Sequence, residues 1–66
     1  MPIYVIKLHR YPAGTIAKAV IEEHENDIVD YKVGENEAVI VTRSKALAEQ
    51  LNKLNGIVKV QIVEIK

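Results

Sequence analysis

The sequence predicts an α+β domain whose elements follow in the order strand, helix, strand, strand, helix, strand. Apolar residues recur at helical spacing in two places, within Ile16–His24 and within Leu47–Leu54. Segments rich in β-branched residues precede, separate and follow these two helices. Right-handed crossovers would place both helices on one face of a four-stranded antiparallel sheet, which is the ferredoxin-like βαββαβ sandwich.

The first strand and first helix occupy the first third of the chain. Ile3–His9 predicts a central strand, because both of its faces carry apolar residues. Tyr11–Gly14 interrupts the pattern, and Thr15 is the expected N-cap of the helix. The predicted buried face of this helix consists of Ile16, Ala19, Val20 and His24.

A β-hairpin is predicted next. Ile28–Val33 alternates, with Val29, Tyr31 and Val33 expected on one side. The turn sequence at 34–37 connects it to a β-branched segment at 38–42.

The second helix and the last strand complete the pattern. Thr42 or Ser44 would cap the helix, whose buried stripe is Leu47, Leu51 and Leu54. Gly56 supplies a left-handed stop before the last strand, Ile57–Ile65. The apolar positions of that strand change phase midway, which indicates either a bulge or burial of both faces.

Composition limits the size of the core and the classes of function. Sixty-six residues suit a single domain, 1–66, with one small core and no disulfide, because the chain has no Cys. Nine basic and nine acidic residues cancel, which argues against nucleic acid as the partner. High Ile, Val, Glu and Lys usage is compatible with a thermophilic source.

The sequence also bears on location. No apolar run approaches the roughly 18 residues that a membrane helix needs, so no membrane is expected as a partner. The first residues lack the pattern of a signal peptide. We therefore expect a cytoplasmic protein if the native chain starts at Met1, and an extracellular one if it is excised from a secreted precursor.

No motif for catalysis or for cofactor binding is present. Ser44 is the only serine and fits a helix cap better than a nucleophile. His9 and His24 are too few and too irregularly spaced for a zinc site. The loop before the first helix lacks the glycine patterns of nucleotide sites. We therefore expect a protein that is not an enzyme and that carries neither a metal nor a small-molecule cofactor.

The sheet face opposite the helices is the main candidate surface. Apolar residues occur at both parities of the first and last strands, so some of them would lie on that open face and form a docking surface. The alternative is that the first strand is simply central and the last strand bulged. The candidates, whose parity the sequence does not assign, are Tyr4, Ile6, Leu8, Ile57, Val63 and Ile65.

A basic patch and a short acidic run are two further candidate surfaces. Lys7, His9 and Arg10, together with Arg43 and Lys45, could form a basic patch. RNA-binding sheets carry aromatic residues on their middle strands, and 38–42 has none. The acidic run at 22–27 fits a solvated helix end.

Leu51–Val60 matches the pattern of a Leu-x-x-Leu helix followed by Gly-Ile/Val-x-x-Val. Strands at 4–7 and 27–33 and an apolar third strand precede it. Through these segments, nearly the whole chain resembles the propeptides of subtilisin-like serine proteases and their free-standing inhibitor relatives.

The resemblance implies an inhibitor or an intramolecular chaperone of such a protease. Its open sheet face would dock on two protease helices, acidic residues after the last valine would cap those helices, and the C-terminal tail would lie in the cleft. The acidic positions correspond to Gln61 and Val63, which are not acidic, and Val63–Lys66 is the candidate tail. The predicted partner-binding residues are Tyr4, Ile6, Leu8, Gln61, Val63, Glu64, Ile65 and Lys66.

Two other functions remain open. The chain could be a structural or regulatory domain that associates with itself through open faces or edge strands. It could also be a small nucleic-acid-binding protein, which the net charge and the missing aromatic residues disfavour.

Overall fold

A computed structural model describes residues 2–66 and has the ferredoxin-like α+β architecture. The strands are β1 (Ile3–His9), β2 (Ile28–Val33), β3 (Glu37–Thr42) and β4 (Lys59–Ile65). The helices are α1 (Ala13–Glu23) and α2 (Lys45–Asn52), and a short 3-10 turn, Glu25–Asp27, links α1 to β2. The predicted order of elements is therefore confirmed.

All four strands form one antiparallel sheet in the order β2-β3-β1-β4. The predicted central position of β1 is confirmed, since it lies between β3 and β4. The strands β2 and β4 are the two edges. The β2–β3 hairpin is confirmed, and its turn is closed by a hydrogen bond of 2.7 Å that the Gly34 N–H donates to the Glu37 carbonyl.

The core lies between the helices and one face of the sheet. Each of the two central strands contributes three buried residues, because alternate side chains of a strand share a face. They are Tyr4, Ile6 and Leu8 of β1, and Ala38, Ile40 and Thr42 of β3. The helices and the start of β4 complete the core with Ala13, Ala17, Leu47, Ala48, Leu51, Val58 and Val60.

Helix α1 begins earlier than predicted, and its buried face is rotated from the predicted one: Ile16 and Val20 pack against the core as expected, whereas Ala19 does not. The helix starts at Ala13, so Thr15 lies exposed in the first turn and does not cap it. Ala13 and Ala17 are fully buried, whereas Ala19 is exposed. The physical reason is a close approach: small residues face the sheet, and larger Ile16 and Val20 pack beside them half-buried.

Helix α2 agrees more closely with the sequence. Ser44 is its N-cap, and its hydroxyl accepts a hydrogen bond of 3.1 Å from the Leu47 N–H. Leu47 and Leu51 are buried, and Leu54 packs against the core just after the helix ends. Gly56 has a φ of 118°, a left-handed conformation that glycine adopts readily.

The single bulge of the sheet lies in β2, between Ile28 and Asp30. It leaves Val29 without a paired residue on β3, whereas Tyr31 and Val33 pair with Ile40 and Ala38 and so share the helix side, as predicted for those two. Strand β4 pairs with β1 without interruption from Ile65 to Lys59. The phase change of β4 therefore reflects two different environments: Val58 and Val60 are buried under the helices, while Val63 and Ile65 lie on the opposite face and are more than half exposed.

Candidate protein-binding face

The face of the sheet opposite the helices is uncovered and has two chemically distinct ends. Directly paired residues of neighbouring strands lie on the same face, so the strand register identifies the side chains of this open face. Its central row runs from Asp30 through Val41 and Val5 to Val63. The next row runs from Lys32 through Val39 and Lys7 to Gln61.

One end of the open face is aliphatic. We call it the aliphatic end, and it consists of Ile3, Val5, Val41, Val63 and Ile65. The three members on β1 and β3 are half-buried by their neighbours, whereas Val63 and Ile65 on the edge strand are 59% and 52% exposed. Side chains on adjacent strands lie about 5 Å apart, so these five residues form one contiguous patch.

The other end of the open face is basic. We call it the lysine end, and it comprises Lys7, Lys32 and Lys59 with His9, Glu37 and Gln61 between and beside them. Lys7 and Lys32 flank Val39 in one row, about 10 Å apart across two strand spacings. Within residues 2–66, no carboxylate lies within 4.0 Å of any of the three ammonium groups. The lysine end therefore presents net positive charge, with Glu37 as its one carboxylate.

The structure corrects part of the predicted binding surface. Tyr4, Ile6 and Leu8 have the opposite parity to the open face and are at most 7% exposed beneath the helices. They are core residues and cannot contact a partner on the open face, so their assignment to it was wrong. Neither sequence nor composition reveals this parity, because both faces of β1 carry apolar side chains.

The remaining predicted binding residues are accessible but do not all share one face. Gln61, Val63 and Ile65 lie on the open face. Glu64 pairs with Tyr4, so it has helix-side parity, although it is exposed at the sheet edge. Lys66 follows β4 and is exposed. Ile57 lies in the loop that precedes β4 and is 62% exposed.

The basic patch expected from the sequence is not formed. Lys7 and His9 lie at the lysine end, whereas Arg43 and Lys45 follow the opposite end of β3. Lys32 and Lys59 lie near Lys7 where Arg43 and Lys45 were expected, and neither was predicted to belong to this patch. The register of the hairpin and of β4 against β1 is the information that brings these two lysines together.

Aromatic side chains are absent from the described part of the open face. Tyr4 is buried under the helices, Tyr31 pairs with Ile40 on the helix side, and Tyr11 is exposed in the loop before α1. Valines occupy the central positions where sheets that bind RNA present stacking rings. The open face therefore offers aliphatic contact and positive charge.

The described residues offer no cluster suited to a metal ion and no membrane-spanning helix. No three His, Asp or Glu side chains converge within residues 2–66. His24 lies 3.9 Å from its neighbour Glu23 on an exposed helix end, far from His9 at the sheet end. Neither α1 nor α2 has the length and apolar character needed to cross a bilayer.

Comparisons of the chain with protein-family models, with curated proteins and with solved structures found no match. The open face and the edges of the sheet are therefore the features of this molecule that bear on its function.

Proposed function

We propose that this chain is a protein-binding module that docks through its open sheet face and β4, in the manner of a propeptide-type inhibitor or chaperone of a subtilisin-like serine protease. The observation that supports the proposal best is the aliphatic end, a contiguous patch on a face that no element of this chain covers. Patches of this kind, rimmed by polar residues, are typical of interaction sites.

Burial of the aliphatic end would supply part of the free energy of association. If docking removed about 300 Å² of apolar surface from water, the gain would be about 7.5 kcal/mol at roughly 25 cal/mol per Å². Loss of translational and rotational freedom costs an estimated 4–15 kcal/mol, so aliphatic contact alone would give weak binding. Backbone and polar contacts along β4 would have to supply the rest.

The residues at two positions on β4 determine how strong we expect protease inhibition to be. The resemblance implies acidic side chains after the last valine that cap helix N-termini of the protease. Gln61 and Val63 occupy those positions and both lie on the open face. A neutral amide interacts with a helix dipole more weakly than a carboxylate does, so we expect inhibition in the micromolar range. Of the predicted tail, Val63–Lys66, the first three residues pair with β1, so only Lys66 lies outside the sheet and could extend toward the active-site cleft.

The proposal is tested by adding the chain to a subtilisin-like protease and following hydrolysis of a chromogenic peptide. We expect slowing at micromolar concentrations of the intact chain. Val5→Glu places a charge in the middle of the aliphatic end and should raise the inhibition constant at least tenfold. Ala46→Glu, on the exposed side of α2, is the matched control and should leave inhibition unchanged.

A substitution outside the aliphatic end tests the docking mode. Gln61→Glu places an acidic residue on the open face, and we expect tighter inhibition by up to about fivefold, since a carboxylate at a helix N-terminus contributes up to about 1 kcal/mol. No slowing by the intact chain and none by this variant would refute the proposal. Slowing that Val5→Glu leaves intact would refute docking through the open face.

A further inference from the structure

The two edges of the sheet are protected to different degrees. Strand β2 carries a bulge, which hinders edge-to-edge pairing, whereas the two edges carry equal numbers of charged residues, Asp30 and Lys32 on β2 and Lys59 and Glu64 on β4. Strand β4 pairs with β1 over seven consecutive residues without a bulge, and it contains neither Pro nor Gly. On its outer side the Val60 N–H donates a hydrogen bond of 3.3 Å to the Asn55 Oδ1, and the residues from Gln61 onward present a row of backbone N–H and C=O groups that no other strand pairs.

A groove follows the helix side of this exposed edge. Its floor includes Ile62 of β4 and Tyr4 of β1, and one stripe of α2 forms its wall. The wall residues are Lys45, Ala48, Glu49 and Asn52, at the spacing that places side chains on one side of a helix. Ile62 is half-buried, so this groove combines an incompletely covered apolar floor with an alternating charged rim.

We propose that β4 pairs with β4 of a second copy of this chain, antiparallel and centred on Ile62, to form an eight-stranded sheet. A two-fold axis normal to the sheet requires paired residues to share a face, and the register centred on Ile62 overlaps all seven residues. Ile62 would then lie beside Ile62 of the second copy on the helix side. Gln61 would lie opposite Val63 on the open side, and Lys59 opposite Ile65.

The helix positions fit this arrangement. Helix α2 contacts β4, β1 and, to a smaller extent, β3, so it lies over the half of the sheet that ends at β4. Pairing of the two β4 strands would therefore separate the α2 helices by two strand spacings or more, at least roughly 10 Å. At this lower limit the separation approaches the 8–10 Å at which packed helices lie, so the two α2 helices would flank the paired Ile62 side chains.

The charges of the α2 stripe are self-complementary under the same axis. The two-fold axis makes the two α2 helices antiparallel. Lys45 of each copy therefore lies toward the end of the other α2 helix that carries Glu49 and Asn52, so the attraction between Lys45 and Glu49 occurs twice. This charge complementarity identifies a second copy as the occupant of the edge and distinguishes it from an unrelated extended peptide.

Sedimentation of the full chain over a hundredfold range of concentration tests the proposal. We expect the average mass to rise toward twice the monomer mass as concentration increases. Glu49→Lys should weaken the dimer about tenfold, and Lys45→Glu combined with Glu49→Lys should restore it, because reversing both charges preserves the complementarity. Both residues are exposed, so the fold should tolerate these changes. Val29→Glu at the other edge is the control and should change the dissociation constant less than twofold.

The outcomes are distinct from those of the protease assay. A monomer at every concentration would overturn the proposal, as would a dimer that Glu49→Lys and Ile62→Glu leave intact. Circular dichroism of Ile62→Glu would establish that this variant is folded, and the charge-reversal pair carries the test if it is not. Glu49→Lys should not weaken protease inhibition, because it leaves the open face unchanged and releases β4 from the dimer, so loss of inhibition in Val5→Glu would concern the open face and not this edge.

Discussion

Gly14 allows the first turn of α1 to lie directly against the turn between β2 and β3. It is buried, and a Cβ added to it would lie 2.8 Å from the Glu35 carbonyl oxygen and would also clash with the Gly34 carbonyl. Both atoms belong to the backbone, so a rotamer change cannot relieve the clash. Although Ala has the higher helix propensity, by about 1 kcal/mol, overpacking costs about 1–3 kcal/mol. We expect Gly14→Ala to destabilise the domain by about 1–2 kcal/mol in urea unfolding.

Thr15→Ala provides the comparison for Gly14→Ala, because Thr15 lies in the same turn and is exposed. Its free energy of unfolding should stay within about 0.5 kcal/mol of the parent. A Gly14→Ala variant as stable as Thr15→Ala would show that the two turns separate easily.

The same close approach explains why the buried face of α1 is rotated from the predicted one. Helical spacing alone favoured Ile16, Ala19 and Val20, since it ranks positions by hydrophobicity. The observed face places Ala13 and Ala17 against the sheet, because a helix whose start contacts a backbone turn has room only for small side chains. A sequence does not state how close two elements come, so the rotation of α1 was not predictable from it.

Thr42 connects three elements at the end of β3. Its side chain is fully buried, and its hydroxyl donates a hydrogen bond of 2.6 Å to the Asp27 carbonyl, at the end of the 3-10 turn. The same hydroxyl accepts a hydrogen bond of 3.0 Å from the N–H of Ser44, the N-cap of α2. This one side chain therefore joins β3 both to the start of β2 and to the start of α2.

Thr42→Val keeps the branched shape and removes the hydroxyl. A carbonyl and an N–H would then lose their partners, and each unsatisfied buried group costs about 1–3 kcal/mol. We expect a loss of about 2–4 kcal/mol in urea unfolding and faster hydrogen exchange at the Ser44 amide. Val41→Thr, on the neighbouring half-buried position of the open face, should cost less. Unchanged stability and exchange in Thr42→Val would contradict this account.

The elements themselves were predictable, because each depends on local chemistry. Ser44 and Gly56 mark the two ends of the second helical segment, and β-branched runs mark the strands. The bulge in β2 was not predictable in the same way, since alternation through Val29, Tyr31 and Val33 looks regular in sequence. It arises where β2 leaves the 3-10 turn, and it keeps Ile28 on the helix side with Val33.

The candidate surface was likewise predictable only in the features that depend on local sequence. That one sheet face would be uncovered follows from two helices and four strands. Which residues lie on it depends on the parity of β1, and both parities of β1 are apolar. The helices cover Tyr4, Ile6 and Leu8. Ile3, Val5 and Lys7 therefore lie on the uncovered face. Likewise, the lysine end requires the register of three separate strands, which only the folded sheet supplies.

The small core makes overall stability sensitive to single deletions on the helix side of the sheet and insensitive to those on the open face. At about 0.05–0.15 kcal/mol per residue, a domain of this length has a free energy of unfolding of roughly 3–10 kcal/mol. Ile40 is fully buried on β3, between Ile6 and Tyr31 in the sheet. Truncating a buried Ile to Ala costs about 2–5 kcal/mol, which is a large part of that total.

We therefore expect Ile40→Ala to lower the urea midpoint sharply or to leave much of the chain unfolded at room temperature. Val63→Ala removes two methyl groups from a side chain that is 59% exposed, and we expect it to cost less than about 1 kcal/mol. Both substitutions shorten an aliphatic side chain on a strand, so the difference between them measures which face of the sheet carries the core. Equal losses, measured at concentrations low enough to keep the chain monomeric, would mean that the open face contributes to folding as strongly as the helix side. The aliphatic end would then be a second core and not a surface held free for a partner.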